Sequence, residues 1–413
     1  MTLERLTTQA ASKPLRRSDR LDKETLEVID EVAEPPWTRP RAAYLHIPFC
    51  VHKCGYCDFA SLAGADHQAD RYLHALGREL ELKLANPQSV ETVFIGGGTP
   101  TQLDVVQLER LVTLTQDWLP VDSGGEWTVE ANPNTLDLTK VELLAKSGVT
   151  RISLGAQSFQ SRLLATLERD HDPDSVRRAA AMVAPRFESW SLDLIFGVPG
   201  STLEDWKSDL ETALSLAPPH LSCYGLVYEK GTPLWSDRHS GRVQALDEDL
   251  EYEMYAWTIE RLAAEGLLQY EISNFARPGH ESRHNLVYWR NDAYIGVGLG
   301  AASYQNGIRT VNTRDLDAYL KRVEAGLPAT GPTERLDAES RARETAVLML
   351  RRVQTGLNRV DFAQRTGFEI DRIAGPAIAR GISRGWLLDD QASLRLSPAG
   401  VFVADSVLSE FLA

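Results

Sequence analysis

Short apolar runs recur along the chain at 42–49, 91–96, 127–131, 151–156, 190–196 and 220–227. Between them lie segments with helical periodicity, at about 67–86, 104–119, 137–147, 160–168, 173–185 and 202–217. Apolar runs this short predict strands, and segments with a 3.6-residue period predict amphipathic helices. Strict alternation of the two predicts parallel βα units and an α/β fold. Six units rather than eight predict a partial (β/α)6 barrel, with the chemistry at the C-terminal ends of its strands.

The flanks read differently. Residues 1–40 are polar, charged and broken by proline, which predicts a mobile arm with one short helix over 23–32. After the sixth unit, 236–330 reads as a helical and β extension, with a strongly periodic helix from Asp247 to Glu265 that stops at Gly266. Beyond Gly331-Pro332, helices are expected over 339–350, 359–366 and 371–384, followed by a β-wing over 386–396. Three helices and a wing predict a winged-helix-like C-terminal domain over 331–413. The barrel itself is expected over 41–235.

Composition narrows the function classes. The chain has 413 residues, 43% of them hydrophobic, enough for a large domain plus a smaller one. A net charge of −14 argues against a protein that works by gripping phosphates non-specifically. The segment 335–385 carries ten Arg against six acids, but no aromatic stacking platform is interleaved with them. A lid or a partner-docking role therefore fits it better than nucleic acid. No apolar run reaches the ~18 residues of a membrane span, and Met1 opens no signal peptide, so a reducing cytoplasm is expected.

Three of the four cysteines, Cys50, Cys54 and Cys57, fall in one C-x3-C-x2-C loop. Such close thiolates suit an iron–sulfur cluster, and three ligands on four irons leave one iron open. Zinc is the alternative, with His46 or His52 as a fourth ligand. Cys223 stands alone on a strand and reads as a small core hydrophobe.

The run Tyr44-Leu-His-Ile-Pro-Phe-Cys50 and the Tyr-Cys-Asp-Phe that ends at Phe59 resemble the radical S-adenosylmethionine (radical SAM) superfamily. They are most similar to the branch that holds the oxygen-independent coproporphyrinogen oxidases and the HemW-type heme chaperones. That resemblance implies a 4Fe-4S cluster on the three cysteines. S-adenosyl-L-methionine (SAM) would chelate the open iron, and an electron donor such as flavodoxin or ferredoxin would supply reduction. It also implies SAM contacts at Tyr44, Tyr56, Gly97, Gly98, Thr99 and Glu130, and allows a homodimer. In the oxidases, residues matching Gln157, Arg169 and Asp193 hold a second SAM; the structural alternative for Arg169 and Asp193 is an ion pair across the rim.

A second motif follows at His284-Asn285-Leu-Val-Tyr288-Trp289. An imidazole beside two large rings reads by itself first as a satisfied histidine in an aromatic core, with a heme site as the alternative. Its H-N-x-x-Y-W spacing is similar to the signature of the heme chaperones, which implies heme at His284, Asn285, Tyr288 and Trp289. Ile295–Ser303 is glycine-rich with no βα context and is expected to place backbone near SAM. Two departures separate the chain from the oxidases: Phe59 stands where they carry a further cysteine, and the start lacks their Pro-Arg-Tyr-Thr-Ser-Tyr-Pro run. The resemblance therefore implies a heme chaperone, delivering heme to hemoproteins and peripheral at the inner membrane face. A coproporphyrinogen III dehydrogenase is the first alternative, and a nucleic-acid-associated radical SAM enzyme the second.

Overall fold

The structure is a computed structural model that describes residues 35–413; the expected helix over 23–32 and most of the arm lie outside the described residues. Six parallel strands follow one another: β1 (Ala42–Ile47), β2 (Val90–Gly97), β3 (Val121–Ala131), β4 (Arg151–Gln157), β5 (Ser189–Phe196) and β6 (His220–Gly225). Each pairs in parallel with the next. The expected strands are all present, and β3 extends six residues earlier than its apolar run, through an exposed stretch over 122–124.

The sheet does not close. β7 (Leu268–Gln269) and β8 (Asn274–Ala276) extend it antiparallel beyond β6. On the other edge, β9 (Tyr294–Val297) lies parallel to β1, followed by the antiparallel β10 (Ala302–Gln305), β11 (Ile308–Asn312) and β12 (Thr330–Arg335). The six central strands thus form the expected partial barrel inside a 12-stranded sheet.

Strand periodicity sorts the side chains into two layers. Ala43, Leu45, Ile47, Val93, Ile95, Val129, Ile152, Leu154, Leu192 and Leu194 join the main core beneath the helices. The alternate positions, among them Tyr44, Thr92, Glu126, Thr128, Glu130, Arg151, Ser153, Ser191, Asp193, His220 and Ser222, line a polar lumen. Cys223 is buried in the main core, as expected, and burial pushes its thiol pKa up.

Helices start where the sequence offers caps. Asp104 caps α2 (Val105–Trp118) and Thr202 caps α6 (Leu203–Ser215), each in a capping box. Asp247 caps α8 (Glu248–Ala264), so the periodic segment ends within a residue or two of its expected limits. Towards the C-terminus, α11 (Ala338–Leu350), α12 (Arg359–Thr366) and α13 (Ile370–Ser383) pack with the three-stranded wing Leu357–Asn358, Leu387–Asp389 and Ser393–Leu396. This unit has its own core, centred on Leu350, Phe362, Leu394 and Phe411. Its arginines are largely spent inside the molecule: Arg359 on Asp371 and Asp389, Arg365 on Asp292 and Asp361, Arg380 and Arg384 on Glu410.

Candidate functional site

The cysteine loop leaves the C-terminal end of β1. Each sulfur has its own hydrogen-bond partner: Thr99 Oγ1 donates to Cys50 Sγ over 3.7 Å, Arg169 Nη1 to Cys54 Sγ over 3.3 Å, and Ser61 Oγ stands 3.7 Å from Cys57 Sγ. The thiols are neighbours rather than a closed set: among the described residues no three His, Cys, Asp or Glu side chains already converge as metal ligands. Burial pushes the Cys50 thiol up to about 11 and raises that of Cys57. Loading iron on these sulfurs would therefore release protons.

Arg169 shows that the site fits a cluster and its ligand. Its guanidinium is buried, faces Cys54 and the Gly155 carbonyl (3.0 Å), and makes no carboxylate ion pair among the described residues. Its Nε is buried without a partner. A buried cation with an orphaned donor has one hydrogen bond left to give. The ion pair considered for Arg169 and Asp193 does not form; Asp193 instead accepts from Ser153 Oγ at 2.9 Å.

The other rim residues sit at or near the C-terminal ends of the neighbouring strands. Gly97 N donates to Glu130 Oε2 at 2.9 Å, and burial, then nearby Asp193, pushes Glu130 up to about 7. Desolvation also raises Asp193. Gln157 ends β4 in a left-handed conformation with φ of 64°, strain that a bulky residue rarely carries outside a functional or tightly packed site. Tyr56 packs against the cluster of Leu163, Leu167 and Ile195, and burial raises its phenol pKa.

The glycines of Gly96-Gly97-Gly98 serve the protein's own packing first. A Cβ on Gly97, whose φ is 108°, would stand 2.3 Å from the His46 ring; one on Gly98 would stand 2.7 Å from Pro48 backbone. Sequence reasoning weighs His46 only as a fourth ligand in the zinc alternative. Both its nitrogens are engaged, by Tyr44 OH at 2.9 Å and by the Ala60 carbonyl at 3.1 Å, so it braces the cysteine loop and is no fourth metal ligand. Burial lowers its pKa to about 4. His52 faces Glu168 at 3.6 Å. The glycine-rich run over 295–303 backs β1: a Cβ on Gly298 would meet the His46 carbonyl at 2.6 Å.

The second motif forms helix α9 (Arg283–Trp289) at the opposite end of the strands. Glu126, near the start of the β2–β3 pairing, accepts from Arg283 N and His284 N, each at 3.0 Å. His284 is 1% exposed, with Nδ1 2.9 Å from Thr92 Oγ1 and Nε2 2.8 Å from Tyr288 OH. Burial alone lowers it to about 3. Its ring lies 5.2 Å from Phe94, which stacks on Tyr44 at 6.2 Å, so adjacent rings connect the two motifs through the lumen. Asn285 is half-buried, and Trp289 lies under the Arg351 guanidinium at 4.8 Å. Sequence reasoning missed Glu126, Thr92, Ser153 and Ser222; their signal was a polar residue at every second position of otherwise apolar strands.

The parallel βα barrel with a three-thiol loop at its rim defines a radical SAM protein, and residues 44–213 match the Radical SAM superfamily. The chain is 36% identical over 380 residues to the heme chaperone HemW of Bacillus subtilis, covering 90% of this chain and 99% of that one. To HemW of Escherichia coli it is 35% identical over 387 residues, covering 91% and 98%. Coproporphyrinogen III oxidase (HemN) from Escherichia coli, a radical SAM enzyme, shares the fold with a TM-score of 0.79 at 22% identity, covering 92% of this chain and 91% of that one. The chain belongs to the HemW family of radical SAM proteins. No helix among the described residues is long and apolar enough to cross a membrane.

Proposed function

We propose that this protein is a heme chaperone that holds a 4Fe-4S cluster and SAM at one end of its barrel and passes heme to hemoproteins. The observation that carries this reading is the match, over almost their whole length, with proteins named heme chaperones. Cys50, Cys54 and Cys57 would hold the cluster, which when bound supplies an open iron and a one-electron reductant. Tyr44, Tyr56, Gly97, Gly98, Thr99 and Glu130 would contact SAM, with Gln157, Arg169 and Asp193 as further contacts. A Glu130 carboxylate suits the SAM ammonium, and the free Nε of Arg169 suits a carboxylate. Heme is the cargo, with His284 as its iron ligand and Asn285, Tyr288 and Trp289 around it. A flavodoxin or ferredoxin would reduce the cluster, and recipients at the inner membrane face would take the heme.

The fold shared with coproporphyrinogen oxidase supports a second reading, radical decarboxylation of coproporphyrinogen III. Phe59 at the position of the oxidases' further cysteine weighs against it. Anaerobically reconstituted protein separates the two. A Soret band that saturates with heme, and weakens in His284→Gln, is expected; steady formation of protoporphyrinogen would reject the chaperone.

A further inference from the structure

The helix that carries His284 is gripped from two sides. On the barrel side stand Glu126, Thr92 and Phe94, as described above. On the other side stands the C-terminal unit. Asp292, wholly buried three residues after Trp289, takes ion pairs from Arg290 at 2.8 Å, Arg365 at 2.6 Å and Arg41 at 3.5 Å. Arg365 belongs to α12 and Arg41 precedes β1, so one carboxylate ties α9, the barrel and the C-terminal unit together. Asn291 donates to Thr345 Oγ1 on α11 at 3.0 Å, and Arg351, at the end of α11, covers Trp289. Residues in the left-handed region flank the helix, Gly279 with φ of 88° and Asn291 with φ of 55°, the kind of position that absorbs a hinge motion.

Resting on the heme reading of His284, we propose that the C-terminal unit is a latch on α9, and that heme is captured only after this latch opens. Iron needs a free imidazole lone pair. Both His284 nitrogens face hydroxyls, and the ring is sealed between Phe94 and Tyr288. A flat macrocycle reaches the ring only when α9 swings out of the barrel base. A buried carboxylate that loses its cations is costly, so the arginine contacts to Asp292 hold the closed state until a competing contact replaces them.

The test uses the full heme-free chain. Modification of His284 by diethylpyrocarbonate is followed by peptide mass spectrometry, alongside amide hydrogen exchange over 283–290. In the wild type, His284 is expected to be as protected as buried His220, while exposed His74 reacts freely. Arg365→Gln and Arg351→Gln, both outside the heme motif, should each speed His284 modification about tenfold, the effect of one lost charge-assisted contact, with His220 unchanged. Asp292 keeps Arg41 and Arg290 in the first variant, and the second leaves the Asp292 cluster intact, so the fold should persist. Wild-type His284 reacting as fast as His74, or no acceleration in both variants, overturns the latch. Heme titration of the same proteins separates the two ideas. Faster His284 modification without heme binding keeps the latch and removes the heme role, whereas heme bound through His284 with unchanged exchange over 283–290 overturns the latch.

Discussion

Gly97→Ala should damage the cysteine loop from behind, without touching a sulfur. Gly97 holds φ at 108°, and a methyl there would stand 2.3 Å from the His46 imidazole. A non-glycine residue in such a region costs about 1–3 kcal/mol in backbone strain. The imidazole must also move, and it is fixed by Tyr44 OH at 2.9 Å and the Ala60 carbonyl at 3.1 Å. Losing both bonds costs about 1 kcal/mol each. The sum is about 3–5 kcal/mol, felt where Ala60 anchors the loop that ends at Cys57. Gly124→Ala is the control: its φ is 73° with no heavy atom within 4 Å, so only about 1–2 kcal/mol of strain applies. Urea unfolding of the cluster-free proteins, with iron content after anaerobic reconstitution, reads the difference. A Gly97→Ala protein no less stable than Gly124→Ala, with full iron, would refute the reasoning.

Cys54→Ser should abolish the visible absorption of the cluster and most of its iron; an unchanged spectrum would remove Cys54 from the ligand set. Glu130 is held up at about 7 against an ordinary 4.5. Its contribution to the stability of the ligand-free protein is therefore fully present below pH 4.5 and lost as pH rises through 7, by about 3 kcal/mol. Glu130→Gln should flatten that slope in chemical denaturation, and a slope identical to wild type would deny the shift. His284 runs the other way, lowered from 6.5 to about 3: its contribution is present above pH 6.5 and lost as pH falls towards 3. His284→Gln should remove part of the acid sensitivity while keeping a hydrogen-bonding side chain for Thr92 or Tyr288, and unchanged acid unfolding would contradict a neutral, buried ring.

The strand and helix alternation and the C-x3-C-x2-C loop were legible in the chain, because period and ligand spacing are local properties. Local spacing also singled out His284 and Tyr288. It could not tell that their hydroxyl and imidazole partners would meet at the barrel base, since Thr92 lies 192 residues away from His284. The same limit applied to Arg169 and Asp193, whose opposite charges suggested a pair; the fold turns one towards Cys54 and the other towards Ser153. The resemblance set the triple glycine against SAM; that His46 and Pro48 also pack against it is seen only in the fold. Sequence decides which groups a segment can offer. Which lone pairs and donors are already spent is decided by strand register and by packing between distant segments, and only the tertiary structure holds that information.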